Sequence, residues 1–268
     1  MALPPPDERS TCVVTGASSG IGADIARELA RRGHGVTLVA RREERLRELA
    51  DELGEAYAVR AETVALDVTD ADGRHALADE LSGRGLTVEV LVNNAGFGSG
   101  GAFAELDIER ETLMVRTNVE ALIGLTGVFV GGMVKRRRGA VLNVASLIAF
   151  QPVPHQATYG ATKAAVLSFS EALHQELRGR GVTVTAVCPG PVHTEFGESG
   201  GFGGDDERIP DRLWLESEKV AADAVKGLEN GDRVVVPGLR NQLLALYGQH
   251  LPRSVLLPLL RYVYPVGR

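Results

Sequence analysis

Cysteine is almost missing from this chain. The 268 residues hold two, Cys12 and Cys188, each in an apolar run where a small thiol packs as a hydrophobe. That count argues against a disulfide framework, and neither thiol has the neighbours of a metal ligand or a nucleophile. His155 and His193 also lack partners at ligand spacing, so no metal site is expected. Basic charge is not in excess: 29 lysines and arginines face 35 acids, a net −6, which disfavours nucleic acid as a partner. The one dense basic run, Lys135–Arg138, closes a predicted helix, where cations complement the dipole. Met1–Arg9 have no apolar core of a signal peptide; a short disordered lead over residues 1–9 and a cytoplasmic protein are expected. There is no repeat, heptad or low-complexity tract, and Pro252 and Pro258 break the apolar C-terminal stretch well short of a membrane-spanning length.

What is present is alternation. Short apolar runs at Thr11–Thr15, Val36–Ala40, Thr63–Leu66, Val88–Val92, Ala140–Val144, Val182–Val187 and Arg233–Val236 are separated by helical patterns. Such alternation implies right-handed crossovers and a parallel sheet covered on both faces. The expected fold class is α/β: a single-domain Rossmann fold whose doubly wound, seven-stranded parallel sheet carries helices on both faces. The ligand crevice then lies at the carboxyl ends of the strands.

Two local patterns carry chemistry. The first strand runs into Gly16-Ala17-Ser18-Ser19-Gly20-Ile21-Gly22 and then a helix. Gly16 permits the sharp turn, Gly20 lets a pyrophosphate approach the backbone, and Gly22 allows close helix packing, while free N–H groups and the helix dipole attract the anion. The spacing is G-x-x-x-G-x-G, not G-x-G-x-x-G, with the same polarity. The second pattern is Tyr159-Gly160-Ala161-Thr162-Lys163, which sets a phenol and an ammonium one helical turn apart on one face. At about 4 Å and an effective dielectric of ~20, their attraction is ~4 kcal/mol. That is enough to pull a tyrosine pKa from ~10 toward ~7, where the phenol exchanges protons near neutrality.

Thr15-Gly16-x-x-x-Gly20-x-Gly22, Asn93-Asn94-Ala95-Gly96, Asn118, Ser146, Tyr159-x-x-x-Lys163 and Pro189-Gly190, in this order and spacing, resemble the short-chain dehydrogenase/reductase (SDR) family over roughly residues 10–237. Residues 238–268 read as a helical extension of the same domain. The resemblance implies an oxidoreductase that interconverts a carbonyl and an alcohol. In it Tyr159 is the general acid/base, Lys163 lowers its pKa and binds the nicotinamide ribose, Ser146 binds the substrate oxygen, and Asn118 holds a proton-relay water. Cofactor contacts are expected from Gly16, Ser18, Ser19, Gly20, Ile21 and Gly22 of the turn, from Asn93, Ala95 and Gly96 after the fourth strand, from Tyr159 and Lys163, and from Pro189, Gly190, Val192 and Thr194. Asp67 and Val68 look like the adenine-edge contact, although Asp67 reads equally as a helix cap.

Where an NAD site places an acid after the second strand, this chain has Arg41-Arg42. An arginine there offers a bidentate fork to a 2′-phosphate, so NADP(H) is expected over NAD(H), with Arg41 the better of the two. The same arginines, with Glu43 and Glu44, also read as the solvated start of a helix.

The candidate pocket lining, Phe97, Leu147, Ile148, Phe150, Val192, Phe196 and Trp214, is apolar and points to a lipophilic ketone, aldehyde or secondary alcohol. The glycine-rich stretch 197–206 is too poor in helix formers for a stable helix and reads as a mobile lid with Phe202 at its tip, or as a bland surface loop. The last thirty residues join leucines and aromatics to arginines; they suit a cap over the pocket, a subunit contact, or peripheral contact with a membrane surface. Apolar residues on the helices holding Asn118 and Tyr159 exceed one core face, which with the resemblance implies a homodimer or homotetramer. A non-catalytic NADP(H)-binding sensor or a membrane-surface protein of the same fold are the alternatives to an enzyme.

Overall fold

The computed structural model describes residues 3–200 and 210–264, the last three of the first span as backbone only. Its strands are β1 (Ser10–Thr15), β2 (Val36–Ala40), β3 (Ala61–Ala65), β4 (Thr87–Asn93), β5 (Gly139–Val144), β6 (Val182–Val187) and β7 (Val234–Val235). They form one parallel sheet in the order β3-β2-β1-β4-β5-β6-β7, the doubly wound arrangement expected. The order reverses between β1 and β4, and the crevice opens there.

Strand periodicity divides the core. Val13, Leu91, Val141 and Val184 point to one face, while Cys12, Val14, Val92 and Leu142 point to the other. The second face is covered by α1 (Gly20–Arg31), α2 (Glu43–Tyr57) and α8 (Ser217–Asn230), through Leu29, Leu46, Leu53 and Val220. The first is covered by α3 (Ala71–Gly83), α5 (Ala121–Arg136) and the end of α6 (Ala157–Glu176), through Leu77, Leu125, Met133 and Leu173. Leu29 and Leu125 are essentially fully buried; truncating either to alanine costs about 2–5 kcal/mol.

α4 (Ile108–Val115) continues through one π-helical turn, Arg116–Glu120, into α5. This 29-residue helix is long and apolar enough to cross a bilayer, but its inner face, Met114, Leu122, Leu125, Phe129 and Met133, is core. Beyond β6 come α7 (Glu195–Gly200), then α9 (Leu239–His250) and α10 (Arg253–Val263).

Several features differ from expectation. Part of the N-terminal lead is anchored: Leu3 is buried in the core and Arg138 Nη2 donates to the Pro5 carbonyl at 2.8 Å, while residues 5–9 are exposed. The basic run is laced to the protein, since Arg136 donates to the Val88 carbonyl and Arg138 to Glu89. α7 forms despite its glycines because Thr194 Oγ1 accepts from the Phe196 N–H and Glu195 is held by two arginines. The rest of the expected lid, including Phe202, lies outside the described residues. Both cysteines are buried and free, and burial pushes the Cys188 thiol up to about 12. Among the described residues no cluster of three His, Cys, Asp or Glu side chains is placed to hold a metal.

Candidate active site

The glycine turn is built by backbone. Gly16 and Gly20 adopt φ of +66° and +54°, a region costly for residues with a Cβ. A Cβ on Gly16 would also lie 2.8 Å from Asn94 Nδ2 and 2.9 Å from the Ala95 Cα. Asn94 spends its amide on this turn, donating to the Thr15 and Gly16 carbonyls at 3.0 and 3.2 Å, while Thr15 Oγ1 accepts from the Asn94 and Ala95 N–H groups. The two loops across the switch point thus hold each other. Ser19, the residue before α1, makes no capping bond with its side chain, so the helix keeps free N–H donors for an anion.

The second cluster stands on β5 and α6. Tyr159, Thr162, Lys163, Val166 and Ser170 form the inward stripe of α6. Ser146, just past β5, accepts from the Ile148 N–H at 3.4 Å and hydrogen-bonds the Tyr159 phenol. Lys163 Nζ donates to the Val144 carbonyl at 2.9 Å and stands 5.8 Å from the centre of the Tyr159 ring. Burial pushes the phenol up to about 12, opposed by the Ser146 hydrogen bond, and brings the ammonium down to about 8. The lysine is turned toward the Val144 carbonyl, and desolvation outweighs the Ser146 hydrogen bond, so the pKa of the phenol without coenzyme is raised rather than lowered.

Asn118 sits in the π turn, 2% exposed. Its Oδ1 accepts from the Phe97 N–H at 3.1 Å, and its Nδ2 donates to the Phe97 carbonyl at 3.0 Å and to Thr162 Oγ1 at 3.1 Å. The side chain is spent on protein, clamping the β4 loop to α6. Asn93 is likewise interior, bonded to Thr126 and Asn143. Gly22 lies beneath the turn, where a Cβ would overlap Asn94 and the Gly16 carbonyl.

One cleft of about 1350 Å³ collects the remaining predicted residues: Gly16, Ser18, Ser19, Gly20, Ile21, Arg41, Asp67, Val68, Ala95, Gly96, Ser146, Tyr159, Lys163, Pro189, Gly190, Val192 and Thr194. Asp67 does not cap α3, which is capped by Asp70; instead it accepts from Thr69, whose N–H holds its carboxyl below the usual range. Of the apolar lining expected, all but Phe150 face the cleft; Phe150 packs in a separate cluster with Ala245 of α9.

Four participants were missed. Arg42, not Arg41, reaches the glycine turn, donating to Ser18 Oγ at 2.9 Å and Ser19 Oγ at 2.7 Å; Arg41 is 77% exposed, 3.9 Å from Asp67. The double arginine was the signal, but its direction was not. Asn94 was visible inside Asn93–Gly96. Val153 and Tyr264 pack around Tyr159 with Phe97 and Phe196; Tyr264 belongs to the C-terminal stretch read as a pocket cap, whereas Val153 carried no sequence signal.

A helix N-terminus open to a pyrophosphate, facing a serine, tyrosine and lysine across one crevice, defines a dinucleotide-dependent dehydrogenase or reductase. A family model described as short chain dehydrogenase matches residues 10–200. A 3-hydroxy acid dehydrogenase of Salmonella typhi, named as NADP-dependent, is 40% identical over 198 residues, covering 73% of this chain and 78% of the relative. Among solved structures, a short-chain dehydrogenase from Sphingobium yanoikuyae in complex with NADPH superposes with a TM-score of 0.79 at 33% identity, over 93% of this chain and 95% of that one. A bulky-bulky ketone specific alcohol dehydrogenase from Comamonas testosteroni gives 0.75 at 27% identity, over 98% and 96%. The chain belongs to the short-chain dehydrogenase family and is an oxidoreductase of the carbonyl/alcohol class.

Proposed function

We propose that this protein is an NADP(H)-dependent reductase/dehydrogenase that interconverts a ketone or aldehyde and the corresponding alcohol on a lipophilic small molecule. The observation that carries this is the convergence of Ser146, Tyr159 and Lys163 on one wall of the cleft whose other end is the glycine turn. The residues suit the coenzyme: positive-φ glycines at the turn, an uncapped α1 N-terminus, and Arg42 on Ser18 and Ser19. Its relatives named or solved with NADP(H) support the same choice.

The coenzyme supplies the hydride, and the protein supplies position and charge. In reduction Tyr159 gives its phenolic proton to the carbonyl oxygen. Ser146 donates to the same oxygen and stabilises the charge developing there. Lys163, drawn to the phenolate as the proton leaves, lowers the cost of that charge. Asn118 positions Phe97 and α6, and the π-turn backbone beside it holds the water that returns a proton. Phe97, Ile148, Phe196, Trp214 and Tyr264 give the substrate an apolar enclosure, bordered by the Arg110 guanidinium over the Phe97 ring.

α9 belongs to the site's architecture: Asn241 donates to the Pro237 carbonyl and packs on Gly190, and Gly248 packs on Phe150 and Gln151. With Tyr264 at the end of α10 facing the cleft, the C-terminal extension serves as a pocket cap. Ile108, Leu113, Val115 and Ile123 leave an exposed apolar side on the long helix, which serves as a subunit contact in a homodimer or homotetramer.

The test is NADPH oxidation against a panel of ketones, aldehydes and quinones, with Tyr159→Phe alongside. Turnover that falls at least a hundredfold in the variant supports the assignment, in line with the ~10²–10⁴ contribution of a general acid. Undiminished turnover in the variant refutes the role of Tyr159. Tight NADPH binding with no turnover across the panel favours a sensor.

A further inference from the structure

We infer that Glu195 sets the strength of this protein's coenzyme preference, by occupying as an internal carboxylate the guanidinium groups that receive the 2′-phosphate of NADP(H). The inference rests on the coenzyme assignment above and deepens it. Glu195 opens α7, directly after Thr194. Its two oxygens are divided between two arginines of the opposite wall: Arg45 Nη1 donates to Oε1 at 2.7 Å and Arg42 Nη1 to Oε2 at 3.0 Å. The other donors of Arg42 are on Ser18 and Ser19. Carboxylate, two guanidinium groups and two hydroxyls thus meet beside the glycine turn, with Glu195 lying 153 residues from Arg42 in the chain. The arginines hold the Glu195 carboxyl down at about 2, so it is ionised at any working pH.

A 2′-phosphate carries about −1.5 to −2 charges and three acceptor oxygens, and guanidinium forks are its usual receptors. It competes with Glu195 for the same donors, and a second anion beside the pair is repelled. NADH brings no such group and leaves the Glu195 bonds intact. Glu195 therefore costs NADPH affinity and spares NADH, which narrows the preference that Arg42 creates. The side chain is half exposed, so it swings into water when displaced. Its neighbour Phe196 lies 5.8 Å from the Tyr159 ring, centre to centre, which puts this exchange one residue from the catalytic wall.

The experiment measures dissociation constants for NADPH and NADH by fluorescence titration of the full-length wild type, Glu195→Gln and Glu195→Ala, without substrate. Both variants are expected to bind NADPH about three- to tenfold more tightly, the range of one or two exposed ion pairs, with NADH unchanged within about twofold on the same scale. Equal shifts for the two coenzymes would make Glu195 a strap over any dinucleotide and overturn the inference. So would weaker NADPH binding, or tightening in only one variant. Failure of the coenzyme assignment is read separately, from a wild type that binds NADH as well as or better than NADPH, whatever the variants do.

Discussion

Replacing Lys163 with methionine separates the energetic cost of the site from its chemistry. Lys163 is 5% exposed, and burial lowers its pKa from 10.5 to about 8. Between those values the unfolded chain binds more protons than the folded one, so stability rises with pH across that window; below pH ~8 the full penalty applies. From the two pKa values the penalty is about 3 kcal/mol at pH 7 and roughly 1 kcal/mol at pH 9.5. Methionine keeps the length and removes the charge, but leaves the Val144 carbonyl without its donor, a loss of about 1–3 kcal/mol that does not vary with pH. The absolute change is therefore small and of either sign. The pH dependence is the informative quantity: the stability of Lys163→Met relative to wild type should fall by about 2 kcal/mol between pH 7 and 9.5, roughly 4–8 °C in melting temperature for a chain of this size. Urea unfolding or thermal melts of both proteins at the two pH values, at one protein concentration and without added coenzyme, give the comparison. A difference that stays constant with pH, or grows in favour of the variant, would show that Lys163 is not a desolvated amine and would refute the reasoning.

Gly16→Ala should weaken NADPH binding at least about tenfold and cost about 1–3 kcal/mol of stability, because it puts a Cβ at positive φ against Asn94 and Ala95; titration and melts check this, and a wild-type dissociation constant would contradict it. Asn118→Ala removes three hydrogen bonds from a buried clamp and should cost about 1–3 kcal/mol while lowering kcat more than it raises KM for NADPH; an unchanged kcat would limit Asn118 to a structural part. Carbonyl reduction should decline above pH ~8 as Lys163 loses its proton, measured as kcat/KM against pH; a profile flat to pH ~10 would sink that assignment. Cys12 and Cys188, both held protonated by burial, should react with thiol reagents no faster than the protein unfolds, which mass spectrometry follows directly.

The sheet was legible in the sequence because its causes are local or periodic. Apolar runs such as Val36–Ala40 and Val182–Val187 bury on both faces, their alternation with amphipathic helices forces parallel crossovers, and the glycine turn and the Tyr159/Lys163 pair are written in spacings of a few residues. Boundaries were less legible where tertiary contacts decide them: β7 pairs over two residues, and among the described residues of the lead Leu3 finds core and the Pro5 carbonyl finds Arg138.

From its sequence alone, then, this chain's parallel sheet, its glycine turn and the helix face carrying phenol and ammonium were determined, since each follows from the period of a strand or helix. Tertiary structure alone decided what those groups meet. Arg42 rather than Arg41 points at the turn, Glu195 answers it from 153 residues away, Asn118 spends its amide on Phe97 and Thr162, and Tyr264 returns to the cleft from the chain's end. The direction of the tyrosine's pKa belongs to the same category. Spacing brings a lysine near a phenol, but only the surrounding fold sets how much water either keeps and which carbonyl takes the ammonium's hydrogen bond.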